Sequence, residues 1–222
     1  MAQRPFLLAV GSHKGGTGRT TTALALAYAW GRAGLHVVLV DADPTQAAGL
    51  IACDSHGQCT WPNVQYATEL REPLPDADVV IVDCPPLLDA SASPVLQKCG
   101  GVLLTVLADP LSLRTVPAAA SVLAEARSHN PQLELLGVLV AIYNGSDAIQ
   151  APMYARLKEM HGDMLVEPPI PDDPALRDWP LMPGSPPPRG PGWRAYAEVA
   201  DRVAGLAQKI TGVRIAPRVR RD

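Results

Sequence analysis

The chain has 222 residues, 47% of them apolar and 18% charged, with a formal net charge of −3. These values exclude a disordered, collagen-like or coiled-coil chain and suit one α/β domain with a sizeable core. No apolar run approaches the ~20 residues of a membrane span. The run that follows Met1-Ala2-Gln3-Arg4-Pro5 is too short and too soon interrupted for a signal peptide. Four cysteines in a chain this long make no disulfide framework, so a soluble protein of the reducing cytosol is expected.

Short runs rich in Val, Leu and Ile predict strands at residues 6–11, 37–41, 79–83, 101–108 and 135–144. Near-continuous apolar runs of this length fit strands buried on both faces, as in a parallel sheet. Helical spacing predicts helices at 20–33, 89–98, 112–129 and 147–161 between them. The alternation implies a single doubly wound, mostly parallel sheet flanked by helices, with ligands at the carboxyl ends of the strands. A Pro/Gly-rich stretch, residues 180–192, precedes a last helix from about 193 to 210. Residues 1–211 are expected to form one domain and 212–222 a basic tail.

Charge is unevenly distributed along the chain. Residues 189–222 carry eight basic and three acidic groups, a net of +5, whereas residues 1–188 sum to −8. Such a basic end on an acidic body suggests a local anion-binding face, the alternative being a solvated helix with a frayed tail.

The strongest local signal follows the first strand. Gly11-Ser12-His13-Lys14-Gly15-Gly16-Thr17-Gly18-Arg19-Thr20-Thr21 runs straight into an Ala-rich helix. A glycine-rich turn between strand and helix leaves backbone N–H groups free to converge on an anion, and the helix N-terminus adds partial positive charge. The Thr20 hydroxyl stands where a phosphate-binding loop places its Mg²⁺ ligand. Asp41 and Asp83 end adjacent strands near the loop, and carboxylates suit a hard cation or its bound water.

Here the chain resembles the ParA/MinD family of deviant Walker-A ATPases, most closely its short ParA-type members. Lys14 to Thr20 match the family's K-G-G-x-G-K-[ST] at every place but one. Val40-Asp41-Ala42-Asp43-Pro44-Thr45-Gln46 resembles its D-x-D-P-Q segment, with one extra residue before the glutamine. Ile81-Val82-Asp83-Cys84-Pro85-Pro86 resembles its switch, and Pro169-Ile170-Pro171-Asp172-Asp173 the loop that borders the adenine. The resemblance implies the P-loop NTPase fold over about residues 6–211, with ATP and Mg²⁺ as cofactors. It assigns nucleotide contacts to Lys14, Gly15, Gly16, Thr17, Gly18, Arg19, Thr20, Thr21, Pro171 and Asp172. Thr20, Asp83 and Asp41 fall on the metal side, and Asp43 orients the attacking water. Lys14 matches the signature lysine that reaches across an ATP-sandwich dimer to the partner's phosphates.

Arg19 departs from the family, which has Lys there. Arginine keeps the charge but is longer and planar, so the exchange is not chemically conservative. Either the guanidinium forks across two phosphate oxygens, or it pushes the γ-phosphate out of line and leaves a slow ATPase. Nucleotide binding is therefore expected, and hydrolysis is placed in question.

Other motifs carry less. The cysteines and imidazole of Cys53, His56 and Cys59 lack a fourth zinc ligand and are expected in a surface turn. Cys84 and Cys99 are read as apolar packing, His13 as a passive turn residue. Trp30, Trp61, Trp179 and Trp193 are scattered along the sequence and make no expected stacking platform.

By resemblance, the function is DNA partition or cargo positioning by an ATP-dependent homodimer that binds DNA without sequence preference. A ParB-like or cargo-adaptor partner stimulates release, and the location is cytoplasmic and nucleoid-associated. The candidate DNA contacts are Arg189, Arg194, Arg202, Lys209, Arg214, Arg218, Arg220 and Arg221. The MinD-type alternative ends in a membrane-inserting helix. Here Gly212 and Pro217 interrupt the terminal segment and no Phe or Trp lies within it, so no membrane insertion is expected. A nucleotide-binding scaffold that never turns over is the remaining alternative of a different class. Amide-forming ligases with related loops come third, since no substrate domain is visible.

Overall fold

The computed structural model describes residues 4–216. Its strands are β1 (Phe6–Gly11), β2 (Val37–Asp41), β3 (Val64–Ala67), β4 (Val79–Asp83), β5 (Gly101–Val106), β6 (Glu134–Val140) and β7 (Leu165–Val166). They form one parallel sheet in the order β3-β2-β4-β1-β5-β6-β7. The helices are α1 (Arg19–Arg32), α2 (Ala47–Ala52), α3 (Ala92–Leu96), α4 (Ser112–His129), α5 (Gln150–His161), α6 (Pro174–Asp178) and α7 (Pro191–Thr211).

The central strands are buried on both faces because their side chains alternate between two apolar cores. Phe6, Leu8 and Val10 of β1 point to the core shared with α1, α2 and α7. Leu7 and Ala9 point to the opposite core, where residues of α3, α4 and α5 pack. Each fully buried aliphatic side chain contributes about 1.5–3 kcal/mol. Ala23, Ala25 and Ala27 let α1 lie close on the sheet, and α7 presents Ala195, Val199, Val203 and Ala207 at four-residue spacing along one buried stripe. The Thr22 hydroxyl pairs with Tyr196 Oη at 3.0 Å and joins the two helices.

The chain order makes β1 the pivot of the sheet. From β1 the chain crosses to β2 on one side, and after β4 it crosses to β5 on the other. The carboxyl end of β1 is thus the switch point at which open α/β sheets hold ligands. Parallel register sets Asp41 beside Asp83 at the ends of β2 and β4.

Several predicted boundaries shift. The strand expected to reach 144 stops at Val140, because Ile142 takes a left-handed φ of 56° and breaks the extended run. The strand expected to reach 108 ends at Val106. The helix expected over 89–98 shrinks to α3, with Asp89 accepting from the Ser91 N–H instead of entering the helix. Asp147 likewise accepts from the N–H groups of Ile149 and Gln150, so α5 starts three residues later than expected. Strands β3 and β7 and helices α2 and α6 are too short to register as periodic patterns. The tryptophans are also not scattered in space. Trp61 stacks on Trp179 at 5.8 Å, and Trp61 and Trp193 each meet Tyr28 edge-on. This cluster is core, not a base-stacking surface.

Candidate functional site

The loop between β1 and α1 is shaped by its glycines. Gly16 and Gly18 have φ of 76° and 75°, a left-handed geometry that costs other residues steric strain. A Cβ on Gly18 would also stand 3.0 Å from Ala141 Cβ. Gly18 caps α1 without a side-chain hydrogen bond, so the first-turn N–H groups point to the loop's concave side with no capping oxygen. The loop is braced from below: Ser12 Oγ donates to the Lys14 carbonyl at 2.8 Å, and the Thr17 and Thr105 hydroxyls pair at 3.1 Å.

Beside the loop lies a charged cluster drawn from the ends of β1, β2 and β4 and the start of α1. Arg19 reaches across it, donating from Nε to Asp83 Oδ1 at 3.2 Å and from Nη1 to Ser12 Oγ at 3.3 Å. Its Nη2 ion-pairs Asp43. Asp43 is fixed further by the Thr45 N–H and hydroxyl. Burial opposes its ionisation, but the Thr45 hydrogen bonds and the Arg19 charge outweigh that and hold its carboxyl below the usual range. Asp83 is fully buried, and burial pushes it up to about 6 despite the opposing Arg19 charge and the nearby Thr20 hydroxyl. Asp41 is also raised, again by burial, although the Gly49 N–H donates to it at 3.1 Å.

Two carboxylate oxygens, Asp41 Oδ1 and Asp83 Oδ2, are buried with no hydrogen-bond partner. Such acceptors, next to Thr20 and a turn of free N–H groups, fit a hydrated divalent cation and a phosphate chain. An adjacent pocket of about 270 Å³ is lined by Gly16, Gly18, Thr21, Ile142, Pro171, Asp172 and Tyr196 among others. Its mixture of apolar walls and peptide edges fits a flat base. Pro171 is held there by a bridge to Tyr143, and the Asp172 N–H donates to the Tyr143 carbonyl at 2.9 Å.

Lys14 lies on the outer side of the loop. Its Nζ contacts Asp109 Oδ2 at 2.8 Å, while Asp109 Oδ1 caps the Ser112 N–H at the start of α4. Burial of Asp109 is outweighed by the Lys14 and Ser112 hydrogen bonds, so its carboxyl is held low. Asp109 is the residue that sequence inspection missed; its signal was an acid after the β5 strand end, followed by Pro110 and a helix. Arg177, which lines the adjacent pocket and pairs with Asp172 at 2.6 Å, was missed as well.

The structure therefore gathers Lys14, Gly15, Gly16, Thr17, Gly18, Arg19, Thr20, Thr21, Asp41, Asp43, Asp83, Pro171 and Asp172 at one end of the sheet. Of the basic candidates within the described residues, none lines the adjacent pocket. Arg189, Arg194, Arg202, Lys209 and Arg214 are exposed. On α7, however, the exposed stripe interleaves Glu198 and Asp201 with the basic residues, which dilutes its charge. Arg218, Arg220 and Arg221 lie outside the described residues. No group of three or more metal-ligating side chains with ligand geometry occurs among the described residues, and Cys53 and Cys59 face each other in an antiparallel bridge. Cys84 and Cys99 are buried, as expected of packing residues. Among the described residues, no helix is long and apolar enough to cross a membrane.

Residues 8–182 match the model of the CobQ/CobB/MinD/ParA nucleotide binding domain. The chain belongs to this family. Within it, the chain is 30% identical over 240 residues to the chromosome-partitioning ATPase Soj of Thermus thermophilus, covering 91% of this chain and 96% of Soj. It is 32% identical over 146 residues to the maintenance of carboxysome distribution protein A of Halothiobacillus neapolitanus, covering 62% of this chain and 67% of that one. The fold matches the septum site-determining protein MinD of Pyrococcus horikoshii, solved with Mg-ADP, at a TM-score of 0.71 and 22% identity. That match covers 92% of this chain and 98% of MinD. The fold and the glycine-rich loop are thus those of a ParA-type P-loop ATPase family.

Proposed function

We propose that this protein is a ParA-type partition or positioning ATPase that binds ATP with Mg²⁺ and works as an ATP-dependent homodimer. The observation that carries this reading is the convergence of Lys14, Arg19, Thr20, Asp43 and Asp83 around the glycine loop, within a family match spanning residues 8–182. The loop N–H groups and the α1 N-terminus hold the phosphates, and the pocket beside Pro171 and Asp172 holds the base. Thr20 and Asp83 hold the metal or its water, with Asp41 behind. Bound Mg²⁺ neutralises charge on the terminal phosphate oxygens. Asp43, held ionised, positions a water. Lys14 contributes positive charge to the transferred phosphoryl group across the dimer, once it has left Asp109.

The dimer presents two copies of the basic segment, and this supports sequence-independent DNA contact and a nucleoid location. A ParB-like or cargo-bound adaptor is the partner that closes the cycle. A second reading is favoured by Arg19, whose guanidinium is committed to the carboxylates: a nucleotide-binding scaffold that turns over very slowly. Phosphate release separates the two.

Sedimentation velocity with ATP·Mg²⁺ and with ADP·Mg²⁺ tests the dimer. Wild type is expected to shift to a dimer with ATP alone, and Lys14→Ala to stay monomeric. Asp109→Asn, which frees Lys14, is expected to dimerise at lower ATP. Equal monomer populations in all three proteins would refute the sandwich.

A further inference from the structure

The Arg19 guanidinium makes three contacts at once. Nε meets Asp83 at 3.2 Å, Nη1 meets Ser12 at 3.3 Å, and Nη2 pairs with Asp43. The three partners come from the ends of three different strands, β1, β2 and β4. The assembly is nearly closed to water: 11% of the Arg19 side chain is exposed, 7% of Asp43 and none of Asp83. A planar fork can bridge two carboxylates in this way, whereas an ammonium is a single point charge on a shorter stem.

Two buried carboxylates this close need a cation between or beside them, because an uncompensated buried charge is strongly destabilising. Lys14 is not available for that role, since its ammonium contacts Asp109 on the far side of the loop. Asp83 still keeps one oxygen without a partner, so the guanidinium satisfies only part of what a hydrated metal could.

We propose that Arg19 is the resident cation of this site: in the nucleotide-free protein it holds Asp43 and Asp83 together where a divalent metal would otherwise bind. Guanidinium and metal then compete for the same carboxylate: Arg19 holds Asp83 Oδ1 and the metal would take the free Oδ2, so two cations would crowd one buried acid. Free Mg²⁺ gains little by entering, and the metal takes up Asp83 only after Arg19 has let go. An arriving triphosphate supplies the guanidinium with other oxygens and so releases the carboxylates. Loading of metal becomes conditional on nucleotide. This rests on the metal-and-nucleotide reading above for the identity of the competing ion.

The test is thermal unfolding without nucleotide at pH 8, in chelator and in excess Mg²⁺, for wild type, Arg19→Met and Arg19→Lys. Wild type is expected to unfold at the same temperature in both buffers. Arg19→Met is expected to lose on the order of 10 °C in chelator and to regain more than half of that with Mg²⁺. Adding Asp43→Asn to Arg19→Met is expected to abolish the regain. If Arg19→Met does not fold, Arg19→Lys decides: it must gain more from Mg²⁺ than wild type does. Equal Mg²⁺ responses in wild type and the Arg19 variants would overturn the competition. Since no nucleotide is present, a failure here is distinguishable from a failure to bind ATP.

Discussion

Asp83 is the most exposed point of the account to measurement by pH. Its side chain is fully buried, and burial raises its carboxyl from 3.8 to about 6 even with Arg19 alongside. A folded-state value above the unfolded one means that the folded protein binds this proton more tightly. The stabilisation is therefore complete below about pH 3.8 and is lost as pH rises through about 6. A gap of roughly two pH units, at about 1.4 kcal/mol each, makes ionised Asp83 cost about 3 kcal/mol by pH 8. Asp83→Asn cannot ionise, so it escapes that cost while keeping the shape of the side chain. Urea unfolding of both proteins from pH 4 to pH 8, in chelator and without nucleotide, gives the difference curve directly. The variant is expected to gain about 2.5 kcal/mol on wild type across that interval, most of it between pH 4 and pH 7. A flat difference curve, or one that falls with pH, would show that ionising Asp83 costs the folded protein nothing.

Other consequences are open to simple assays. Gly18→Ala forces a left-handed φ on a side chain and sets a Cβ 3.0 Å from Ala141, so a loss of about 1–3 kcal/mol is expected in urea unfolding. Its ATP affinity, read by fluorescent-analogue titration, is expected to fall at least ~10-fold as the cradle distorts. If about three basic groups per subunit meet phosphates, the dimer's DNA affinity falls with log salt at a slope near −5, measured by anisotropy on scrambled duplexes. Replacing Arg214, Arg218, Arg220 and Arg221 with Gln is expected to flatten that slope without altering nucleotide affinity. Truncation is a poorer test, because Val213 and Ile215 pack against the core under α7. Binding that moves to anionic vesicles instead would contradict the DNA contact.

The central sheet and the site were legible in the sequence for the same reason. Buried parallel strands have near-continuous apolar runs, and each functional segment sits at the end of one: Gly11 before the loop, Asp41 and Asp83 at paired strand ends. Short elements lacked such a signal. Strand β3 has an exposed Gln65 in four residues, β7 has only two residues, and α6 depends on Asp173 accepting from the Ala175 N–H. The site's long-range pairings were not legible either. Lys14 meets Asp109 across 95 residues of sequence, and the Arg19 fork depends on where the side chain turns once folded. Nothing in local spacing distinguishes an arginine that faces phosphate from one that faces carboxylate.

Calorimetric titration of folded wild-type protein with ATP in the presence of Mg²⁺ tests the proposed function at its root. One nucleotide per chain is expected, with a dissociation constant well below ~1 mM, corresponding to more than about 4 kcal/mol of binding free energy. Binding is also expected to weaken when Mg²⁺ is chelated. No heat and no saturation at millimolar ATP, with the protein folded throughout, would contradict that function.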